Sequence, residues 1–287
     1  MKAIDMHCHW TTKTGSLWRT PQEIAMAEEH HKIKILYKTE EGMAEDLRKA
    51  DVKAVMDYSF TMVSDDYGEV KDLHDYVGQF KRDYPDVVLG WWVSLDPRKD
   101  FTLREFERCL KDQGAMGFAF QGTTLGMPPT DRVFNPIYEM CCEAKAPVLI
   151  HVGYTADGAG FPGGGGRILE HCHPRYLDEV AARFPGLQVI AGRTAFPWER
   201  EMIAIMLHKP NVWMDVHGWL PRYFAPELKY DINRRLQDKV TFGADYPIYS
   251  YDTLFGDWES GEYKPEVLEK VYLKNAQRLL HLLGRDA

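Results

Sequence analysis

Short apolar, β-rich runs recur along the chain at a nearly constant interval. They are residues 2–9 (KAIDMHCH), 52–60 (VKAVMDYSF), 87–95 (VVLGWWVSL), 115–122 (AMGFAFQG), 147–153 (PVLIHVG), 187–193 (LQVIAGR), 211–217 (NVWMDVH) and 239–247 (KVTFGADYP). Their starts fall about 34 residues apart, the length of a strand–loop–helix–loop unit. The runs are near-continuously apolar rather than alternating, as expected of strands buried on both faces of a parallel sheet. The stretches between them carry the helical period. Tyr176, Leu177, Val180, Ala181 and Phe184 form one apolar stripe and predict a helix over 174–184. Val267, Leu268, Val271, Tyr272, Leu279 and Leu280 form another, opened by Pro265 and closed by Gly284. Eight strands, each followed by a helical pattern, predict an α/β fold: a single (β/α)8 TIM barrel occupying residues 1–287 as one domain. The competing open, doubly wound sheet would carry a glycine fingerprint after its first strand, and that fingerprint is missing.

Composition removes several function classes. The chain has 287 residues, 45% hydrophobic and 27% charged, which is ordinary for a globular protein. With 35 Lys+Arg against 43 Asp+Glu the net charge is −8, and no basic block offers itself to nucleic acid. No window approaches a membrane-spanning apolar stretch, and the N-terminal residues lack the apolar core of a signal peptide. Five scattered cysteines, Cys141 and Cys142 adjacent, suggest reduced thiols in a cytoplasmic protein rather than a disulfide framework. Nothing argues against a homodimer, the commonest closed assembly. The glycine-rich run 157–166 lacks the ending of a phosphate loop and is expected as a lid over the mouth of strand 5.

In a (β/α)8 barrel the residues that end the strands face the active site. Here strand 1 ends in Asp5-Met6-His7-Cys8-His9, strand 4 near Phe120-Gln121, strand 5 in His151 and strand 6 in Arg193. Strand 7 ends in Asp215-Val216-His217 and strand 8 in Asp245. His7 and His9, two apart, leave a strand on the same face and suit a borderline-soft divalent metal. One such pair is weak evidence, but His151 and Asp245 at further strand ends make a converging set. His171 and His173 fall in a loop away from any strand end and are not expected to hold a second metal. His30, His31, His74, His208 and His281 lie in helical or polar stretches and read as surface. Trp91, Trp92, Phe120 and Trp219 are candidates for an aromatic wall around a substrate, with barrel filling as the alternative.

The ordered set of these motifs resembles the metal-dependent amidohydrolase superfamily, in the branch called amidohydrolase 2, which includes aminocarboxymuconate-semialdehyde decarboxylase and related aromatic-acid decarboxylases. The likeness rests on Asp5 to His9, the Pro147 to Gly153 run, Phe196-Pro197-Trp198, Phe242 to Pro247 and Asn275 to Leu280, and so extends over nearly the whole chain. It implies one divalent metal, zinc, held by His7, His9, His151 and Asp245. One departure stands out. Where the family has a histidine after strand 6, this chain reads Ala191-Gly192-Arg193-Thr194. Arginine neither titrates near neutrality nor ligates metals. Strand 7, in turn, ends in His217, where relatives tend to carry a small hydroxyl residue. The imidazole has in effect moved to the neighbouring strand, leaving a carboxylate anchor behind.

The expected function is therefore a metal-dependent enzyme acting on a small carboxylate. In the leading reading it decarboxylates an aromatic or unsaturated acid: the metal and Arg193 hold the substrate's oxygens, and Asp245 or His217 protonates the carbon that loses carbon dioxide. Trp92, Phe120 and Trp219 would line the substrate. The alternatives are hydrolysis of a C–N, C–O or C–C bond, with Asp245 or His217 as the base, and a catalytically altered paralogue that only binds a carboxylate.

Overall fold

The structure is a computed structural model and describes residues 1–16, 20–32 and 34–285, leaving aside the side chains of His31, Ser59 and Phe60. Eight strands form one sheet: β1 Ala3–Cys8, β2 Val52–Asp57, β3 Val88–Val93, β4 Gly117–Phe120, β5 Val148–His151, β6 Val189–Gly192, β7 Val212–Asp215 and β8 Val240–Thr241. They run in sequence order, each pairing in parallel with the next. The sheet curls until the segment after β8 meets β1. Met6 N–H donates to Phe242 O at 2.9 Å, and Asp245 N–H donates to His7 O at 3.0 Å. Helices fill each connection, so this is the expected (β/α)8 barrel.

Two apolar layers hold it. Ile4, Met6, Val55, Trp92, Leu149, Ile190 and Trp213 pack inside the barrel, while Phe118, Phe120, Val148, Ile150 and Val189 face the helices. The two-residue period of the strands sorts them. The helix Tyr67–Asp83 shows how the outer layer forms. Asp66 caps it by accepting from Gly68 N–H and Glu69 N–H, and Val70, Leu73, Val77 and Phe80 are its buried stripe. Each such side chain is worth about 1.5–3 kcal/mol of burial. The C-terminal helix starts at Pro265 as expected but widens to a π-turn over Lys270–Lys274. There the Val271 carbonyl accepts instead from Phe242 N–H, at 3.0 Å, tying the helix to the end of β8.

His74, expected at the surface, is wholly buried in that first helix and bonded to Glu105 at 2.7 Å. A hydrogen-bonded partner on the neighbouring helix makes the burial tolerable, and a single sequence does not display that partner. His30, His208 and His281 are exposed as expected, and the side chain of His31 lies outside the described residues. All five cysteines are free thiols. Among the described residues no helix is long and apolar enough to cross a membrane.

Candidate metal centre

The strand ends bring five donors together at the mouth. Ring nitrogens of His7, His151 and His217 lie within 4.8 Å of one another, and so do donor atoms of His7, His9 and Asp245. His9 Nε2 is 2.9 Å and His7 Nε2 3.5 Å from Asp245 Oδ1. The ring of His7 stacks on that of His217, with centroids 3.7 Å apart.

Local devices aim each group. Ile4 and Met6 point into the barrel, so simple alternation would send His7 out among the helices. A register shift between Asp5 and Cys8 turns it inward. Asp5, buried behind it, accepts from His7 N–H and Ala244 N–H, both at 3.0 Å, and from Tyr251 O–H at 2.7 Å. His151 Nδ1 donates to Phe120 O at 3.2 Å, which leaves Nε2 as its lone pair. His217 Nδ1 is 2.5 Å from Asp215 Oδ1, and Asp215 Oδ2 accepts from Thr241 Oγ1 at 2.9 Å. Asp245 sits at φ +55°, a strained position for a non-glycine residue that swings its carboxylate back toward β1.

The electrostatics favour neutral imidazoles at His7, His151 and His217. Burial pushes the pKa of His7 and His217 well down, and that of His151 to about 3, with Arg193 adding to the shift. Burial also pulls on His9, but Asp245 outweighs it and raises its pKa. Burial raises the Asp215 carboxyl, whereas His9 and Arg193 hold Asp245 far below the ordinary range despite its burial. Neutral histidines and an ionised carboxylate are the forms that bind cations.

Both nitrogens of His7 and Nε2 of His217 are buried with no hydrogen-bond partner. Unsatisfied buried groups cost about 1–3 kcal/mol each, and a cation among them would satisfy one nitrogen of each imidazole it binds. The donor set thus fits a divalent metal.

Above it opens a cavity of about 620 Å³, lined by His9, His151, Asp245, Arg193 and Trp219 among others. On β6 the residue that faces inward is Gly192, beside His151 and Asp215. Arg193 reaches the cavity by a backbone turn at φ +79°. Among the described residues its guanidinium has no carboxylate within salt-bridge distance, and its Nε is buried and unbonded. Gly218, itself at φ +79°, makes room for it: an added methyl would lie 2.7 Å from Arg193 Nη1 and 3.1 Å from Asp245 Oδ2.

The aromatic expectations divide. Trp219 lines the cavity, packed near Tyr154 and Phe196. Trp92 instead fills the barrel beneath the histidines and donates its Nε1–H to Met6 O at 2.8 Å. Phe120 faces the helix layer and stacks on Phe134 at 4.3 Å, because β4 alternates and Ala119 takes the inner position. Neither ring touches the cavity. Trp91 likewise faces outward, against His74. His173 packs at a tilt against Trp198, away from the centre. The glycine-rich run 157–166 turns with six glycines at positive φ, and Ala156 and Asp157 where it begins border the cavity. Gln121, named from the sequence only as a strand end, lines the cavity, and its amide donates to Thr123 and to Thr155, the latter also in the cavity wall. Sequence reasoning missed Gly192 and Gly218, whose importance lies in the side chains they lack.

A barrel of eight parallel strands with a histidine-rich, carboxylate-bearing cluster at the strand ends defines a (β/α)8 barrel with donors that could hold a metal ion as the class. Residues 4–282 match the family model described as Amidohydrolase. The chain belongs to that family. No curated protein matches it. Among solved structures it is similar to an uncharacterised TIM-barrel protein of Bordetella bronchiseptica, with 21% identity, a TM-score of 0.76 and 99% and 100% of the two chains covered. It is also similar to a dihydroxybenzoic acid decarboxylase of a Polaromonas species with bound manganese and an inhibitor (15%, 0.69, 98% and 97%). A third is a 4-oxalomesaconate hydratase of Rhodopseudomonas palustris (19%, 0.64, 98% and 96%). These likenesses are of fold.

Proposed function

We propose that this chain is a metal-dependent decarboxylase of a small aromatic or unsaturated carboxylic acid, with His7, His9, His151 and Asp245 holding a divalent ion. The observation that carries the reading is Arg193: an arginine at the mouth of a cation site, facing a cavity, with no carboxylate within salt-bridge distance among the described residues. Such an arrangement is costly unless an anion comes between the two positive centres. A guanidinium matches a carboxylate bidentately, so the substrate's acid group is the natural occupant. Trp219 and Tyr154 lie where they can flank an unsaturated body. A divalent ion in the site would draw electron density from a substrate oxygen and stabilise charge that builds as the C–C bond breaks. Arg193 orients the acid, and Asp245, which borders the cavity and is ionised at rest, would relay a proton taken up from solvent to the carbon as carbon dioxide leaves. The balance is RCOO⁻ plus H⁺ giving RH plus CO₂.

Zinc suits the histidine-rich set; manganese, present in the Polaromonas enzyme, is the competing ion. The test is metal analysis of the purified protein followed by a screen of aromatic and enoic acids for carbon dioxide release. Release that disappears on chelation supports the reading. Water addition to an enoic acid, or cleavage of amides or lactones, would replace it with a hydratase or hydrolase. A loaded protein that binds benzoate and turns over none of these would be a binding paralogue.

A further inference from the structure

The end of β6 contributes no side chain to the centre, and the imidazole of His217 occupies the space it leaves. A methyl on Gly192 would lie 3.0 Å from His217 Cε1 and 3.4 Å from His151 Cδ2. On the other side, a methyl on Gly243 would lie 2.8 Å from His217 Cβ. His217 is thus seated between two glycines of the adjoining segments. Its ring is wholly buried and does not border the cavity, although Gly218 and Trp219 next to it do. Asp215, itself held by Thr241, engages Nδ1. The remaining nitrogen, Nε2, is buried with no hydrogen-bond partner. The ring also belongs to a three-histidine group with His7 and His151 whose donors lie within 4.8 Å of one another.

A proton-transfer residue must meet the substrate. A ring that is shut off from the cavity, locked at one nitrogen and bare at the other beside two metal-type histidines, has the anatomy of a ligand. We infer that His217 is a further ligand of the divalent ion, admitted by the gap at Gly192 and positioned by Asp215 and Thr241. The inference rests on the reading that the centre takes a metal at all.

The test reads the metal, not turnover. Zinc and cobalt(II) affinities are measured by chelator competition on wild type, His217→Ala, Gly192→Ala and Asp215→Asn, with the visible spectrum of the cobalt form recorded for each. His217→Ala should bind at least about 100-fold more weakly and change the cobalt spectrum. Gly192→Ala and Asp215→Asn should cost roughly 10–100-fold, the usual worth of a group that orients a ligand. A metal-loaded crystal of the wild type should place His217 Nε2 about 2.0–2.2 Å from the ion, which settles the matter even if a variant does not fold. Unchanged affinity and spectrum in His217→Ala, or an ion more than about 3 Å from Nε2, overturns the inference and leaves the metal centre standing. A wild type that binds neither ion overturns both.

Discussion

Arg193 is the residue on which the substrate reading turns, and it can be separated from the metal. Arg193→Met should keep the ion, because the donors lie on other residues, but should weaken benzoate binding roughly 10–100-fold, the worth of a charge-assisted hydrogen-bonded pair. Calorimetric titration of benzoate into the loaded protein measures this, and equal affinity in the two proteins would remove Arg193 as the anchor. Gly218→Ala should act on the same contact from behind. At φ +79° and against Arg193 Nη1, the new methyl meets both backbone strain and a clash. It should lower stability by about 1–3 kcal/mol and weaken benzoate binding as well. A melting curve and titration matching wild type would show that the loop yields without cost. The metal-type histidines are legible at this scale because His7 and His9 announce themselves by spacing. Gly192 and Gly218 are not, since a glycine's meaning depends on what occupies the space around it.

Between the helices Tyr67–Asp83 and Thr102–Asp112 a buried polar network replaces apolar packing. Glu105 bonds His74 at 2.7 Å and Arg108 at 2.7 and 2.9 Å, with Cys109 alongside. With Arg108 already on its carboxylate, this cluster is a structural lock rather than a cation site. Burial opposes the charge on Glu105, but His74 and Arg108 outweigh it and hold the pKa at about 2, below the ordinary 4.5. The unfolded chain therefore binds this proton more readily than the fold does. The stabilisation is complete above about pH 4.5 and is lost as pH falls from there towards 2. Burial lowers the pKa of His74 too, so its protonation below about pH 6.5 also favours unfolding. Glu105→Gln should be less stable than wild type by up to about 3 kcal/mol near neutral pH, with the gap narrowing below about pH 4.5 and closing towards pH 2. Denaturant titrations at several pH values measure it, and a gap independent of pH would show that the carboxylate charge is not what matters. The helix itself is legible from its stripe of Val70, Leu73, Val77 and Phe80. The burial of His74 in it is not, because the partner comes from a helix about 30 residues on.

For the molecule as a whole, the centre joins β1, β5, β7 and the end of β8, so an ion there ties the two ends of the sheet together. Binding to the fold and not to the unfolded chain should stabilise by about 2.7 kcal/mol at a hundredfold excess over Kd, roughly 4–5 °C in Tm for a chain of this size. Thermal melts with and without chelator check it, with zinc and manganese added back separately. A Tm indifferent to both ions would count against a resident metal. Barrel closure between His7 and Asp245 should be the part most affected, and hydrogen exchange at those amides reports it directly.

The sequence by itself determined the architecture and most of the donor set. Apolar runs at a regular interval, separated by helical stripes, admit few arrangements besides a parallel barrel. In that arrangement strand ends point to one mouth, so His7, His9, His151 and Asp245 could be placed together without coordinates. What only the tertiary structure decided were matters of direction. Phe120 and Trp92 belong to the right strands, but alternation and packing carry one ring outward and the other below the centre. His7 faces inward by a bulge that no periodicity reveals. Arg193 reaches the cavity through a positive φ, while the inward position beside it is a glycine whose space His217 fills. Periodicity is a property of neighbours in sequence and survives without the fold. The aim of a side chain, and the value of an absent one, depend on residues brought close from distant strands.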